Sequence, residues 1–337
     1  MTLKRFCSVI WLVIVLPVSA AWAAKSPSSA LEWLEKMSRA AQTLNYSGTF
    51  VYLQGTHMKA MRIFHKVDAS GEHERLVSLN GSAREVLRHN DVVTCIIPDS
   101  KSVVVEKRLP HKYFSIALPK ETAQLVKYYR LSLLGQARVA GRESQMVGIE
   151  PKDHYRYGYR LWLDKSSGLL LKSVLLNETE QPVEQVMFTS LKLNRVIPSV
   201  DLRPATIGKG YIWYIDRNNG RYPAAYRGEW RVTRLPAGFM RVVDEKHRLA
   251  GSRKPVQHMV FSDGLATVSV YIEKMGHHKQ LLQGLSDMGA VHVYGTEIHD
   301  HQVTVVGEVP AATVEMIGRS IRYQPDEGNK RSEGVTK

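Results

Sequence analysis

The thirteen histidines are the residues of this 337-residue chain with the widest scope for chemistry. In "EIHDHQV", His299 and His301 stand two apart, so on one strand they share a face. With His292 they make three imidazoles of the kind zinc accepts. His277 and His278 form a second cluster. Histidines in solvated or turn positions are far commoner than ligands, so no metal is expected. Cys95 lies in "VVTCIIP", a β-branched run that buries its thiol as a small, inert hydrophobe. The other cysteine, Cys7, falls in the leader described below, which leaves no partner for an intramolecular disulfide. The chain contains no GxSxG, GxxxxGK[ST], GxGxxG or HExxH. Gly208-Lys209-Gly210 neither follows a strand nor opens a helix, as a phosphate-cradling loop must. Carboxylates are diluted among bases, and no pair stands out for acid–base work. The sequons at Asn45, Asn80 and Asn177 read as chance matches. These observations support binding rather than catalysis, and no cofactor is expected.

Charge and the N-terminus narrow the binding partners. Lys and Arg number 46 against 32 Asp and Glu, a net charge of +14. The basic residues are scattered through "MRIFHK", "EKRLPHK" and "AYRGEWRVTR" rather than concentrated in one run. The chain opens with Lys4 and Arg5, an apolar run from Phe6 to Val18 and the small-residue exit Ala21-Trp22-Ala23. This pattern predicts a cleavable signal peptide over residues 1–23 and export to the periplasm. The apolar run is shorter than the roughly 20 residues that a membrane span requires. For an exported protein nucleic acid is not an expected partner. Lipid headgroups, lipopolysaccharide phosphates and acidic polypeptides are.

The elements that must position these residues are mainly strands. "SALEWLEKMSRAAQTL" starts with Ser29 and Glu32 at capping-box spacing and carries Leu31, Leu34, Met37, Ala41 and Leu44 as one stripe, which predicts a helix. "NYSGTFVYLQG" follows, and neither of its alternating rows is charged, so both faces of this strand expect cover. To about Leu193 the chain reads as some ten antiparallel strands. Turns are expected at "DASGE", "PDSK", "KSSG" and "TEQP", with a two-residue turn at Asn80-Gly81. "PKETAQLVKYYRLSLLG" reads as an interrupting helix. A sheet of this many strands curls, splits or closes. The expected class is therefore α+β and mainly β: a curled, incomplete antiparallel barrel over residues 24–195 with helices in its concavity. A linker follows over 196–226, then a smaller α+β domain over 227–323 with Val314, Ile317 and Ile321 on one helical stripe, and a disordered tail over 324–337. A mature chain of about 310 residues suits two domains.

"LEWLEKMSRAAQTLNYSGTFVY", "GSAREVLRHNDVVTC", "GQARVAGRESQMVGIEPKDHYRYGYRLWLDKSSGLLLKSVLLNE", "WRVTRLPAGF" and "VFSDGLATVSVYIE" together resemble the periplasmic MucB/RseB family, over nearly the whole mature chain. The "VAGR…YRLWLD…GLLLKS" portion is shared with lipoprotein carriers of the LolA type. The resemblance implies a LolA-like large domain and a flexible linker to a small domain. It also implies a negative regulator of an envelope-stress sigma factor. Such a regulator binds the periplasmic segment of a membrane-spanning anti-sigma factor, shields it from proteolysis, and is displaced by lipopolysaccharide or lipid. Homo-oligomers are expected as well. A periplasmic lipid or lipoprotein carrier is the alternative, and the second domain is what a simple carrier does not need. An acyl chain requires a dry concave surface, for which Phe50, Tyr52, Val103, Val105, Tyr128, Tyr129, Leu133, Leu161 and Leu163 are the candidates. Arg62, Arg84, Arg88, Lys107 and Arg108 are the candidates for headgroup phosphates. Trp213, Tyr214, Trp230 and Phe239 are the candidates for the protein partner.

Overall fold

The computed structural model describes residues 29–107, 122–194, 196–205, 210–215, 229–248, 255–275 and 281–324. The signal-peptide reading and the tail beyond Gln324 lie outside these residues, as do His277, His278 and Arg108.

Helix α1 (Ala30–Thr43) begins where Ser29, in extended conformation, accepts the Glu32 N–H on its Oγ at 3.2 Å, satisfying one of the orphan donors of the first turn. Its buried face is Ala30, Trp33, Leu34, Met37 and Ala40. That face is rotated slightly from the expected stripe, because Leu31, Ala41 and Leu44 are only half-buried while Trp33 and Ala40 turn inward. Each large side chain so buried contributes about 1.5–3 kcal/mol.

Two meanders follow. The first is β1 (Tyr46–Gln54), β2 (His57–Asp68), β3 (Gly71–Ser78), β4 (Glu85–His89), β5 (Val92–Ile97) and β6 (Ser102–Lys107). After a single helical turn, α2 (Leu125–Tyr128), come β7 (Tyr129–Val139), β8 (Arg142–Pro151), β9 (Gly158–Asp164), β10 (Leu170–Leu176) and β11 (Pro182–Leu193). Pairing of β1 with β11 joins the meanders, and a short strand β12 (Ile212–Ile215) adds parallel to β6. The result is one twelve-stranded sheet ordered β12-β6-β5-β4-β3-β2-β1-β11-β10-β9-β8-β7. Its edges, β12 and β7, are not paired to each other, so the barrel is open.

Alternate residues of the inner face form one core with α1: Tyr46 and Phe50 of β1, Ile63, Leu76, Val86, Leu161, Leu163 and Phe188 among them. A bulge at Thr49/Phe50 keeps Phe50 opposite Phe188, edge to face at 6.0 Å. A Cβ on Gly48 would come within 2.4 Å of the Ser190 carbonyl oxygen, so only glycine fits between these strands. The uncharged second row of β1 is half-buried at Thr49, Val51 and Leu53.

Four expectations change. The helix expected over "PKETAQLVKYYRLSLLG" lasts one turn, and Tyr129 onward is strand paired along β8. Short apolar runs do not distinguish the two by periodicity, and pairing decided it. Asn80 does not sit in a two-residue turn. The connection spans residues 79–84, and the Asn80 side chain binds β2 instead, accepting from the Ala60 N–H at 2.7 Å and donating to the Met58 carbonyl at 3.0 Å. Part of the expected linker is sheet, as β12. The last helix also stops sooner, as described next.

The small domain contains β13 (Trp230–Val232), β14 (Met240–Arg248), β15 (Pro255–Ser262), β16 (Thr267–Lys274), β17 (Gly284–Met288), β18 (Val291–Ile298), β19 (His301–Gly307), α3 (Ala311–Arg319) and β20 (Ile321–Tyr323). Six strands form a sheet ordered β14-β15-β16-β19-β18-β17, and β13 pairs with β20. Val314 and Ile317 project from α3 into the core. Ile321 reaches the same core from β20, because the helix ends at Arg319. Among the described residues no helix is long and apolar enough to cross a membrane.

The "KSSG" turn between β9 and β10 is organised by Asp164. Its carboxylate accepts from Arg142 Nε at 2.8 Å, Ser166 Oγ at 2.5 Å and the Ser167 N–H at 2.8 Å. These donors outweigh burial, which opposes them, and lower its pKa to about 2. Lys36 of α1 donates to the Lys165 carbonyl at 2.8 Å and ties the helix to this turn. Asp164→Asn is expected to destabilise the large domain by about 2 kcal/mol at neutral pH in urea unfolding. Because the folded-state pKa is depressed, this stabilisation is present above the unfolded value of 3.8 and fades as pH falls through about 2. The difference between wild type and variant should therefore shrink in acid.

Candidate functional site

The structure sorts the expected lipid contacts into three groups. Phe50, Leu161 and Leu163 lie in the core beneath α1, and Val103 is fully buried while Val105 is half-buried on β6. Tyr52, Tyr128 and Tyr129 face the junction with the small domain. Leu133 stands 42% exposed on the edge strand β7, beside the equally exposed Leu134.

Among the expected headgroup residues, Arg62 and Arg84 are exposed, and Arg84 Nε approaches Cys95 Sγ at 3.2 Å. Lys107 ends β6. Arg88 is committed internally. Its Nη2 donates to Glu72 at 2.5 Å and Glu74 at 3.2 Å, and His65 Nε2 lies 2.8 Å from the same Glu72 oxygen. His65, Glu72 and Glu74 bring ligand atoms within 4.8 Å of one another, but the guanidinium already supplies the cation there. The other histidines do not share one strand. His299 is a turn residue at φ 53° against Tyr323, His301 faces Trp230, and His292 Nδ1 lies 2.8 Å from the Val309 carbonyl oxygen.

Of the expected partner contacts, Trp213 and Tyr214 are exposed on β12, with Ile212 and Ile215 beside them. Trp230 and Phe239 are buried in the small-domain core and offer no surface to a partner.

The most elaborate polar construction is the domain junction, built on the loop "PKDHYRYG" between β8 and β9. Arg156 is fully buried. Its Nη1 donates to Asp263 at 2.6 Å, its Nε to Asp153 at 3.0 Å and its Nη2 to the Ala237 carbonyl at 2.6 Å. The rings of Tyr128, Tyr129 and Phe239 surround the guanidinium with centroids at 5.1, 5.4 and 5.3 Å. Asp263 sits in the "FSDGLA" turn, where its other oxygen accepts the N–H groups of Leu265 and Ala266 at 2.9 and 2.8 Å. Tyr129 also donates to Asp263, at 2.8 Å. Burial and this carboxylate push the Tyr129 hydroxyl far above its ordinary pKa. Gly238 has φ +89° and would drive a Cβ to 2.5 Å from the Tyr128 ring, so glycine is required for the contact.

Further links surround this centre. Thr313 donates to the Tyr155 carbonyl at 2.7 Å, and the Tyr157 hydroxyl lies 3.2 Å from His292 Nδ1. Tyr52 donates to Glu184 at 2.8 Å, and burial first and the Glu184 charge second raise the pKa of the Glu308 carboxyl of the small domain. Beside the junction opens a cleft of about 470 Å³, lined by His154 and Tyr155 from the large domain and by Arg234, Met316, Arg319 and Arg322 from the small one. Glu315 also lines the cleft and pairs with Arg319 at 2.6 Å, so its walls mix apolar, basic and acidic groups. Sequence reasoning passed over Arg156, Asp263, Glu184 and Glu308. The charged loop "DHYRYG" and the turn "FSDGLA" were visible, but nothing local links residues so far apart in the chain.

Arg156→Leu leaves Asp263 buried without its cation and should cost about 3–5 kcal/mol, splitting urea unfolding into separate domain transitions. Arg156→Lys should restore little, because an ammonium cannot serve three acceptors in one plane. Arg88→Ala should lower large-domain stability by about 3 kcal/mol in the same assay, reflecting its internal pairing.

Comparison with known proteins places this architecture. Residues 29–206 match the MucB/RseB N-terminal domain and residues 224–322 the MucB/RseB C-terminal domain. The sigma factor AlgU regulatory protein MucB of Pseudomonas aeruginosa is 33% identical over 92% of this chain and 96% of its own length. The sigma-E factor regulatory protein RseB of Haemophilus influenzae is 23% identical over 88% and 92%. A crystal structure of MucB in complex with the periplasmic part of MucA and a structure of the Pseudomonas aeruginosa MucA/MucB complex superpose with TM-scores of 0.69 and 0.70, at 30% and 31% identity. Both cover 88% of this chain, and 100% and 99% of the matched MucB chains. With both domains matched in order along a single chain, this protein belongs to the MucB/RseB family.

Proposed function

We propose that this chain is a periplasmic negative regulator of an envelope-stress sigma factor. It acts by holding the periplasmic segment of a membrane-spanning anti-sigma factor and shielding that segment from proteolysis. The observation that carries the reading is the match in both domains to proteins named as sigma-factor regulators, including MucB crystallised with the periplasmic part of MucA. The physical arrangement supports it. Two domains with a cleft of mixed basic, acidic and apolar lining at their junction offer a seat for a segment of polypeptide, and they span more surface than a carrier of one lipid needs.

Release by lipopolysaccharide or another lipid belongs to the same proposal. Because α1 already covers Phe50, Leu161 and Leu163, an acyl chain meets the hollow most readily along the open β7 edge, where Leu133 and Leu134 are uncovered. Each methylene removed from water there contributes about 0.8 kcal/mol, enough over a few carbons to bias the hold on a partner. Self-association, expected from the resemblance, is part of the proposal and is read by sedimentation.

The test is calorimetric binding of the mature protein to the purified periplasmic segment of an anti-sigma factor from the same organism, followed by titration with lipopolysaccharide. Binding and displacement are expected. Leu133→Asp should leave segment binding intact and raise the lipopolysaccharide needed for release about tenfold, the loss of roughly two buried methylenes. Retention of lipid with no binding of the segment would turn the reading to the carrier.

A further inference from the structure

The cleft beside the junction is rimmed by arginines that the fold leaves short of countercharge. On the ribbon of β13 and β20, Arg231 stands directly opposite Arg322, and both are exposed. Like charges in directly opposite positions of two paired strands are destabilising. Arg234, three residues after Arg231, lines the cleft with Arg319 and Arg322. We infer that this arginine cluster and the cleft it rims form the seat of an acidic stretch of the partner polypeptide. Carboxylate side chains meet the guanidinium groups, and a neighbouring apolar side chain enters the hollow. The inference rests on the regulatory reading and adds to it the place and the chemistry of the contact.

Charge decides the sign of the occupant. Arg319 is neutralised by Glu315 at 2.6 Å. Arg322 directs its Nη1 to two backbone carbonyls, those of Arg319 and Ile321, at 2.9 and 2.8 Å. These orient the group but supply no full negative charge. Among the described residues, the side chains of Arg231 and Arg234 have neither a hydrogen-bond nor an ion-pair partner, and Glu229, two residues before Arg231, pairs with neither of them. The rim therefore carries Arg231, Arg234 and Arg322 without a carboxylate for any of them. A guanidinium fork takes a carboxylate through two parallel charge-assisted bonds, and a bound acidic side chain relieves the repulsion between Arg231 and Arg322.

Shape and lining decide the class. The cleft encloses about 470 Å³, a volume within the range of sites that bury a small ligand. Its apolar surface comes from Ala312 and Met316 of α3 and from His154 and Tyr155, whose rings lie 4.0 Å apart. An acyl chain is poorly served here, because hydrocarbon would strip water from the Arg319–Glu315 pair and the free guanidinium groups beside it. An extended polypeptide suits both surfaces. It turns successive side chains to opposite sides, so an acidic residue reaches the rim while its neighbour fills the hollow. Because His154 and Tyr155 belong to the large domain and the arginines to the small one, such a segment touches both at once.

Calorimetry of the full mature chain with the purified periplasmic segment of the anti-sigma factor from the same organism tests this. In the double variant Arg231→Ser, Arg234→Ser, affinity for the segment should fall at least about tenfold, as expected for the loss of charge-assisted hydrogen bonds. The salt dependence of binding should fall with it. Neutralising the carboxylates of the segment to amides should weaken its binding to the wild type by a similar factor and add little in the double variant. Should the double variant misfold, this change to the segment decides with the wild-type protein alone. Equal binding by variant and wild type, or no effect of neutralising the segment, overturns the seat and leaves the regulatory reading standing. No binding by the wild type fails the regulatory reading and overturns the seat with it. Unchanged segment binding in the double variant, with more lipopolysaccharide needed for release, assigns the arginines to lipid phosphates and overturns the peptide seat.

Discussion

The burial of one guanidinium organises this molecule. A charged side chain withdrawn from water is costly unless every donor finds an acceptor and a countercharge is near. At Arg156 the large domain supplies Asp153, Tyr128 and Tyr129. The small domain supplies Asp263, the Ala237 carbonyl and Phe239. Neither domain satisfies the group alone, so the interaction makes docking of the domains a condition for burying it. Gly238 and the "FSDGLA" turn are shaped to it, the first by leaving room for Tyr128 and the second by fixing the Asp263 carboxylate from behind.

Away from that centre the large domain answers a different constraint. A curled sheet leaves a greasy hollow, and α1 fills much of it with Trp33, Leu34 and Met37. What stays open is the edge. The first and last strands of the sheet do not meet, and apolar side chains remain uncovered at both ends: Leu133 and Leu134 on β7, and Ile212 to Ile215 on β12. A closed barrel would have no such edges.

The charge pattern divides along the same line. In the large domain, Arg88 with Glu72 and Glu74, and Arg142 with Asp164, are paired within one sheet and serve stability. At the junction, Arg156 draws its acceptors from both domains: Asp153 from the large one, Asp263 and the Ala237 carbonyl from the small one. A helix-lined cleft carrying Arg234, Arg319 and Arg322 lies beside them.

Local rules were sufficient for much of the fold. Ser29 and Glu32 marked the start of α1, the turns at "DASGE", "PDSK", "KSSG" and "TEQP" fell between strands, and β-branched alternation identified the sheet. These signals are short-range, and so they are written within a few residues of one another. The motifs that resemble the MucB/RseB family carried the likeness in both domains for the same reason, as runs of adjacent residues. Pairing and packing decided the rest. Tyr129 became strand because β8 lay alongside it, Ile212–Ile215 left the linker for the edge of β6, and Trp230 and Phe239 turned into core. Arg88 turned inward because Glu72 and Glu74 on neighbouring strands meet it there. Arg156 finds Asp263 across 107 residues of chain. A contact of that span follows from how two domains settle together, and no spacing within either segment encodes it.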